Sequence, residues 1–395
     1  MKSKKVKVLI SVLVLLIVAR IGAYFIAAAF MPHRYEGEPL PKGQPGQVRF
    51  TDDGSVTPYL AKYDDEGNML DTDFKAITFG DLHLDKGDPE KSFGLLSEVI
   101  EREAPDLVVL LGDIILSGDE RNQKLLNDFF EDKKLYWCFV PGNHDGEDYD
   151  AERDEARRWW YESMLLSDYC ISFDEGGDEV YGYGNCAINI RTSSGIRQTL
   201  FFMDNSVNGE GGSCYDRSQV EWYEKKVNEI KDENGGKTVP SVIFAHRPTT
   251  EYEDAWNMTQ KDEDYRIYGD ITEEIDHGKG YNEMFKTAKS LGSTHTFVCG
   301  HEHKNDTMFI FDGIRLVYSQ GVHYPYAYSR LTDGTYHILY AVNKNCNWFT
   351  EGCTGLVFSA DGQTQIAPSY LPYDVLMKYF SFFDLNMFDI FKKED

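Results

Sequence analysis

Cysteine, proline and basic residues are the scarce components of this sequence. Its 395 residues include 7 cysteines and 13 prolines, and 40 Lys and Arg stand against 66 Asp and Glu, a net charge of -26. No two cysteines form a C-x-x-C pair, which argues against a zinc site built from thiolates. Their odd number leaves at least one unpaired within the chain. Cys138 and Cys299 lie in apolar runs and read as buried thiols, whereas Cys346 and Cys353 flank a short loop and could pair. The acid excess repels nucleic-acid backbones and argues against nucleic acid as a partner. It also opposes polyanionic substrates, except where bound cations reverse the local field. Internal repeats and low-complexity tracts are absent, and 42% hydrophobic with 14% aromatic residues suits a globular core.

The N-terminus carries a targeting signal. Lys2, Lys4, Lys5 and Lys7 precede apolar residues 8–19, and after Arg20 the apolar run resumes to Met31. Residues 8–19 alone are too short to span a bilayer and would be a signal-peptide core, cleaved near Ala27–Ala29. The whole stretch is long enough to span, at a cost of roughly 3 kcal/mol for Arg20. The balance favours an uncleaved anchor, and both readings place the remainder outside the cytoplasm. Residues 32–72, polar and rich in Pro, Gly and Asp, read as a linker with a short strand near Gln47 to Phe50. Residues 73–366 read as one domain and 367–395 as an aromatic-rich extension. Charges at Asp374, Lys378, Asp384 and Asp389 mean that the extension is no membrane span. It suits a helix packed on the domain, or one resting on the bilayer surface.

Within the domain, short apolar runs alternate with helix-like segments. The runs Ala76 to Phe79, Leu107 to Leu111 and Leu135 to Val140 are apolar apart from Thr78, the pattern of strands buried on both faces. Further strands are read at Leu200 to Met203, Val242 to Phe244 and Thr296 to Cys299, with a mostly β stretch from Thr307 to about Ile366. Residues 249–279 read as a long acidic loop, either a solvated face or a lid. The fold class is therefore α/β: two packed mixed sheets flanked by helices, in a four-layer sandwich.

Five of these strands end in Asp, His or Asn. The ends are Gly80-Asp81-Leu82-His83, Gly112-Asp113, Gly142-Asn143-His144-Asp145, Ala245-His246 and Gly300-His301-Glu302-His303. Ligand sites in open α/β sheets lie at the carboxyl ends of strands. Imidazole nitrogen together with carboxylate oxygen suits divalent first-row metals. A two-metal site also needs a bridge, for which Asp113 is the natural choice.

This ordered set resembles the calcineurin-like metallophosphoesterase superfamily, with its pattern D-x-H, G-D, G-N-H-[DE], a lone His, then G-H-x-H. Gly300 to Asp306 and the Ser218-Gln219 to Trp222 segment are similar to the purple-acid-phosphatase-like branch. The Tyr of that branch's G-D-x-x-Y is Leu116 here, so no tyrosinate colour is expected and the metals stay open among Fe, Mn and Zn. The resemblance implies a phosphoesterase with two divalent or trivalent ions. Asp81, His83, Asp113 and His303 would hold one, and Asp113, Asn143, His246 and His301 the other. Water bridging the ions would ionise near neutral pH and attack phosphorus in line. His144 would face the substrate as proton donor or charge stabiliser, oriented by Asp145. His323 and Arg247 are candidates for substrate contact, and Asn305 and Asp306 would brace the loop of His301 and His303. His277 and His295 read as structural. The substrate would be a phosphorylated small molecule or other phosphoester, with cyclic nucleotides or lipid headgroups as diester alternatives. A surface binding protein on the same scaffold is the reading from a different class.

Overall fold

The computed structural model describes residues 33–85, 89–116, 120–147, 153–206, 215–278, 283–321 and 352–371. Its strands are β1 (Gln47–Thr51), β2 (Tyr59–Tyr63), β3 (Phe74–Phe79), β4 (Leu107–Leu111), β5 (Trp137–Val140), β6 (Cys186–Thr192), β7 (Gly195–Met203), β8 (Ser241–Ala245), β9 (Arg266–Asp270), β10 (Thr294–Cys299), β11 (Asp306–Phe311), β12 (Ile314–Tyr318), β13 (Gly352–Phe358) and β14 (Thr364–Tyr370). Its α-helices are α1 (Pro89–Glu103), α2 (Glu120–Lys133), α3 (Arg153–Met164), α4 (Arg217–Glu233), α5 (Thr250–Thr259) and α6 (Met284–Leu291).

The strands form two mixed sheets. One has five strands in the order β14-β13-β3-β4-β5, the other nine in the order β1-β2-β6-β7-β8-β10-β12-β11-β9. The period of two along each central strand explains the layering. In β4, Leu107, Val109 and Leu111 enter the core shared by the two sheets, while Val108 and Leu110 face outward onto a helix-covered core. In β8, Val242 and Phe244 point between the sheets, and Ile243 and Ala245 point away. The outer core of the five-stranded sheet takes Leu95, Leu96 and Val99 of α1, Leu126 and Phe130 of α2 and Trp160 of α3. That of the nine-stranded sheet takes Val220, Tyr223 and Val227 of α4, Tyr252 of α5 and Phe285 of α6. Both faces of the central strands are thus dry, which is why those strands read as nearly unbroken apolar runs.

Strands β3, β4 and β5 run parallel, as do β7, β8, β10 and β12. Parallel neighbours place their carboxyl ends on one edge. Asp81, Asp113 and Asn143 therefore leave one sheet side by side, and His246 and His301 leave the other.

Several expectations need correction. The strand expected near Gln47 to Phe50 is β1, but residues 33–72 are more than a linker: β1 pairs β2, and β2 pairs β6, so this stretch completes an edge of the nine-stranded sheet. The acidic stretch after Thr249 is mostly regular structure, since it holds α5 and β9. Strand β14 runs to Tyr370, so the sheet continues past residue 366. Cys138 and Cys299 are buried free thiols, as expected, and Cys353 is a buried free thiol as well. Residues 1–32 and 372–395, His323 and Cys346 lie outside the described residues.

Candidate metal centre

Four of the candidate ligands hold left-handed backbone conformations that non-glycine residues rarely adopt: Asp81 (φ 51°), His83 (φ 44°), Asp113 (φ 48°) and His301 (φ 75°). Each carries a cost of about 1 kcal/mol or more, sustained by the packing around it. The turns interlock. Asp81 N donates to Gly112 O at 3.2 Å, His83 N to Asp113 O at 2.9 Å and Gly300 N to His246 O at 3.0 Å. Two glycines allow this closeness. A Cβ on Gly142 would stand 2.0 Å from Asp113 N and 2.2 Å from Asp113 Oδ1, and one on Gly112 would stand 2.5 Å from His246 Nδ1.

The side chains converge in two groups. Asp81, His83 and His303 offer ligand atoms that all lie within 4.8 Å of one another, and so do Asp113, His246 and His301. Nε2 of His83 and Nε2 of His303 are 3.1 Å apart. In the second group His301 Nδ1 is 3.2 Å from His246 Nε2, which also lies 2.9 Å from Asn143 Oδ1 and 3.6 Å from Asp113 Oδ1. His246 Nδ1 meets the carbonyl of Leu111 at 2.7 Å, which fixes Nδ1 as the protonated nitrogen and leaves the Nε2 lone pair facing the cluster.

The electrostatics suit cations. Burial, with His303 next, holds His83 down to about 3, and burial likewise holds His246 down to about 3. Burial also lowers His303, so at neutral pH these imidazoles carry lone pairs rather than charge. Burial and the neighbouring Asp113 push Asp81 well above the carboxylate range. Burial opposes charge on Asp113 as well, but His246, His83 and His144 hold its carboxyl below the usual range. Asp81 Oδ1 is buried with no hydrogen-bond partner among the described residues, and His303 Nε2 lies 3.7 Å from it. A dry cluster of carboxylates and neutral imidazoles with such an oxygen fits divalent ions, whose charge would offset both the burial and the mutual repulsion.

The sequence places most of these residues but misassigns one role. Asp145 does not reach His144. It is fully buried, and its carboxylate takes the amides of Ile114 and Ile115 at 2.8 and 3.0 Å and of Gly142 at 2.7 Å. Glu147 instead meets Nδ1 of the half-exposed His144. Arg247 Nη1 pairs with Asp276 at 2.7 Å, and Asp276 lies 3.4 Å from His301 Nε2. Contact with His301, despite some burial, and then Arg247 hold the Asp276 carboxyl well below its usual range. Glu147 and Asp276 were missed because each stands in an acidic run without a motif. A carboxylate three residues past a candidate His was the available signal for Glu147. Asn305 does brace this region, accepting the amides of Thr272 and Glu273 at 2.8 and 2.9 Å. Leu116, at the position of the absent Tyr, is buried.

The Ser218-Gln219 to Trp222 segment opens α4. Asp216 and Gln219 form a capping box, and Gln219 Nε2 donates to Asp204 O at 2.7 Å. Asp204 binds Arg157, whose Nη1 donates to Gly142 O at 2.8 Å. The segment therefore supports the turn carrying Asn143 and His144 from beneath.

The model of the calcineurin-like phosphoesterase family matches residues 74–305. "Probable inactive purple acid phosphatase 29" of Arabidopsis thaliana is 23% identical over 295 residues, 65% of this chain and 74% of that protein. "Probable inactive purple acid phosphatase 14" of the same plant is 25% identical over 258 residues, 58% of this chain and 61% of that one. Among solved structures, a dimetal phosphatase from Danio rerio aligns with a TM-score of 0.39 at 14% identity, over 72% of this chain and 92% of that one. GAP50, the anchor in the inner membrane complex of Plasmodium, aligns with a TM-score of 0.44 at 12% identity, over 78% and 94%.

Proposed function

This chain belongs to the calcineurin-like phosphoesterase family, and from that premise we propose that it hydrolyses phosphate esters with two metal ions held by Asp81, His83, Asp113, Asn143, His246, His301 and His303. The observation that carries the reading is the meeting of two separate ligand groups, drawn from four strand ends. Two divalent or trivalent ions, Fe, Mn or Zn, would neutralise phosphoryl charge there and lower the pKa of attacking water.

The remaining work falls to the chain. His144 stands at the open side of the cluster with Nδ1 on Glu147. That contact engages Nδ1 and would leave Nε2 to give a proton to the leaving oxygen. Asp145 holds the amides on either side of the turn, so that Asp113 and Asn143 keep their spacing. Arg247, anchored by Asp276, is placed beside the second group and can take a phosphoryl oxygen only by sharing that partner.

The assay is direct. Purified protein supplied with Mn²⁺, Zn²⁺ or Fe should cleave p-nitrophenyl phosphate or bis-p-nitrophenyl phosphate, and Asp113→Asn should abolish the activity while the fold persists. Turnover that survives this change would refute the reading. The ratio of monoester to diester rates separates a phosphatase from a phosphodiesterase. The names of the two Arabidopsis relatives, each a probable inactive phosphatase, favour a second reading, a binding protein without turnover. Protein that holds its ions but cleaves neither ester would support that one.

From residues 1–31 we further infer that the domain lies outside the cytoplasm on an N-terminal anchor. Among the described residues no helix is long and apolar enough to cross a membrane. Protease added to intact cells should digest the domain, and full protection would contradict the inference.

A further inference from the structure

We propose that Asp276 is the positioning residue for His301, the carboxylate that decides which nitrogen of that imidazole faces the second ion. The proposal rests on the two-ion reading above. His301 turns Nδ1 toward His246 Nε2 at 3.2 Å, so its other nitrogen points out of the ligand cluster. There Nε2 meets Asp276 Oδ2 at 3.4 Å. A carboxylate at the outer nitrogen accepts its proton, leaves the inner nitrogen with the lone pair and raises its basicity. The same Oδ2 takes Arg247 Nη1 at 2.7 Å, from the residue that follows His246. Asp276 thus touches one ligand of the second group and the chain neighbour of another.

The carboxylate is held in place by the loop it serves. Its own amide donates to Glu302 Oε1 at 2.6 Å, and its Oδ1 accepts from Gly278 N at 3.2 Å. Upstream, the Thr272 hydroxyl donates to Lys304 O at 2.7 Å, and Lys304 N donates to Glu273 Oε2 at 3.1 Å. With the two amides on Asn305 Oδ1, residues 272–278 are strapped to residues 302–305 along their length. Any movement of the His301 and His303 turn therefore carries Asp276 with it. An ion pair serving Arg247 alone would not need a carboxylate oxygen shared with His301.

The test is a calorimetric titration of metal-free full chain with Zn²⁺, paired with Co²⁺ absorption spectra. Asp276→Ala should weaken one of the two sites by about 10- to 100-fold, leave the other within about twofold and change the Co²⁺ bands of the weakened site. Asp276→Glu should restore most of the affinity, and Arg247→Met, which keeps the carboxylate, should change it little. If Asp276→Ala fails to fold, Asp276→Asn carries the same prediction with a smaller loss. Wild-type affinity at both sites in Asp276→Ala would overturn the proposal, and so would an equal loss at both sites or the same loss in Arg247→Met. A wild-type chain that binds no ion would instead sink the reading on which the proposal stands.

Discussion

Glu147 meets Nδ1 of His144 from three residues further along the chain, while Asp145 between them turns inward and collects three backbone amides. Two adjacent carboxylates thus do different work, one on an exposed imidazole and the other on the frame. Glu147→Gln should lower kcat by about tenfold or more, because the imidazole loses its charged partner, with little change in Tm. Asp145→Ala should cost about 3 kcal/mol of stability by leaving buried amides unsatisfied. Steady-state kinetics and urea denaturation separate the two effects, and the assignment fails if the effects are exchanged.

Gly142 tests the closeness of the turns. A methyl group there meets Asp113 N and Oδ1 well inside contact distance. Gly142→Ala should therefore displace Asp113 or Asn143 and reduce bound metal at least tenfold in affinity, as loss of supporting contacts does. Unaltered metal affinity in a correctly folded variant would show that the turns are looser than described.

Arg157 and Asp204 form a buried ion pair beneath that turn, with both side chains almost fully enclosed. Removing one partner strands the other charge. Arg157→Met should lower the unfolding free energy by about 3–5 kcal/mol. Denaturant titration reads this, and a loss under about 1 kcal/mol would mean that water reaches Asp204.

His295 supplies a pH test away from the metal centre. Burial, with Arg315 second, holds its imidazole down to about 3 in the folded chain. Unfolded, it titrates near 6.5, so between these values the unfolded state binds more protons. Its contribution is present above pH 6.5 and declines as the pH falls toward 3, by at most about 1.4 kcal/mol per pH unit. Asp306 and Asp174, raised by burial to about 6, act in the opposite sense over part of that range. The comparison is therefore between wild type and His295→Gln, which should lose less stability between pH 6.5 and 4. Parallel stability curves would contradict the assignment.

The convergence of these side chains was legible because each candidate ligand sits at the end of an apolar run, and parallel pairing sends those ends to one edge. What escaped was held by contacts that sequence periodicity does not register. Strand β1 was expected near Gln47 to Phe50, but its partner β2 was not, and β2 owes its place to pairing with β1 and β6. Strand β9 is five residues long, with a glycine and two charges, and owes its place to pairing with β11. Asp276 is brought to His301 by the strap to residues 302–305, a tertiary contact. The Asp145 assignment failed because adjacency in sequence does not set direction: burial sent that carboxylate to the backbone and left the exposed imidazole to Glu147.

The central claim is that these side chains hold a pair of ions at one place. Metal analysis by plasma mass spectrometry, on protein purified without chelator, tests it most directly. The account predicts about two ions per chain in the wild type and a loss of both in Asp113→Asn, because that carboxylate is the candidate bridge. Fewer than about one ion per wild-type chain, or an unchanged content in Asp113→Asn, would contradict it.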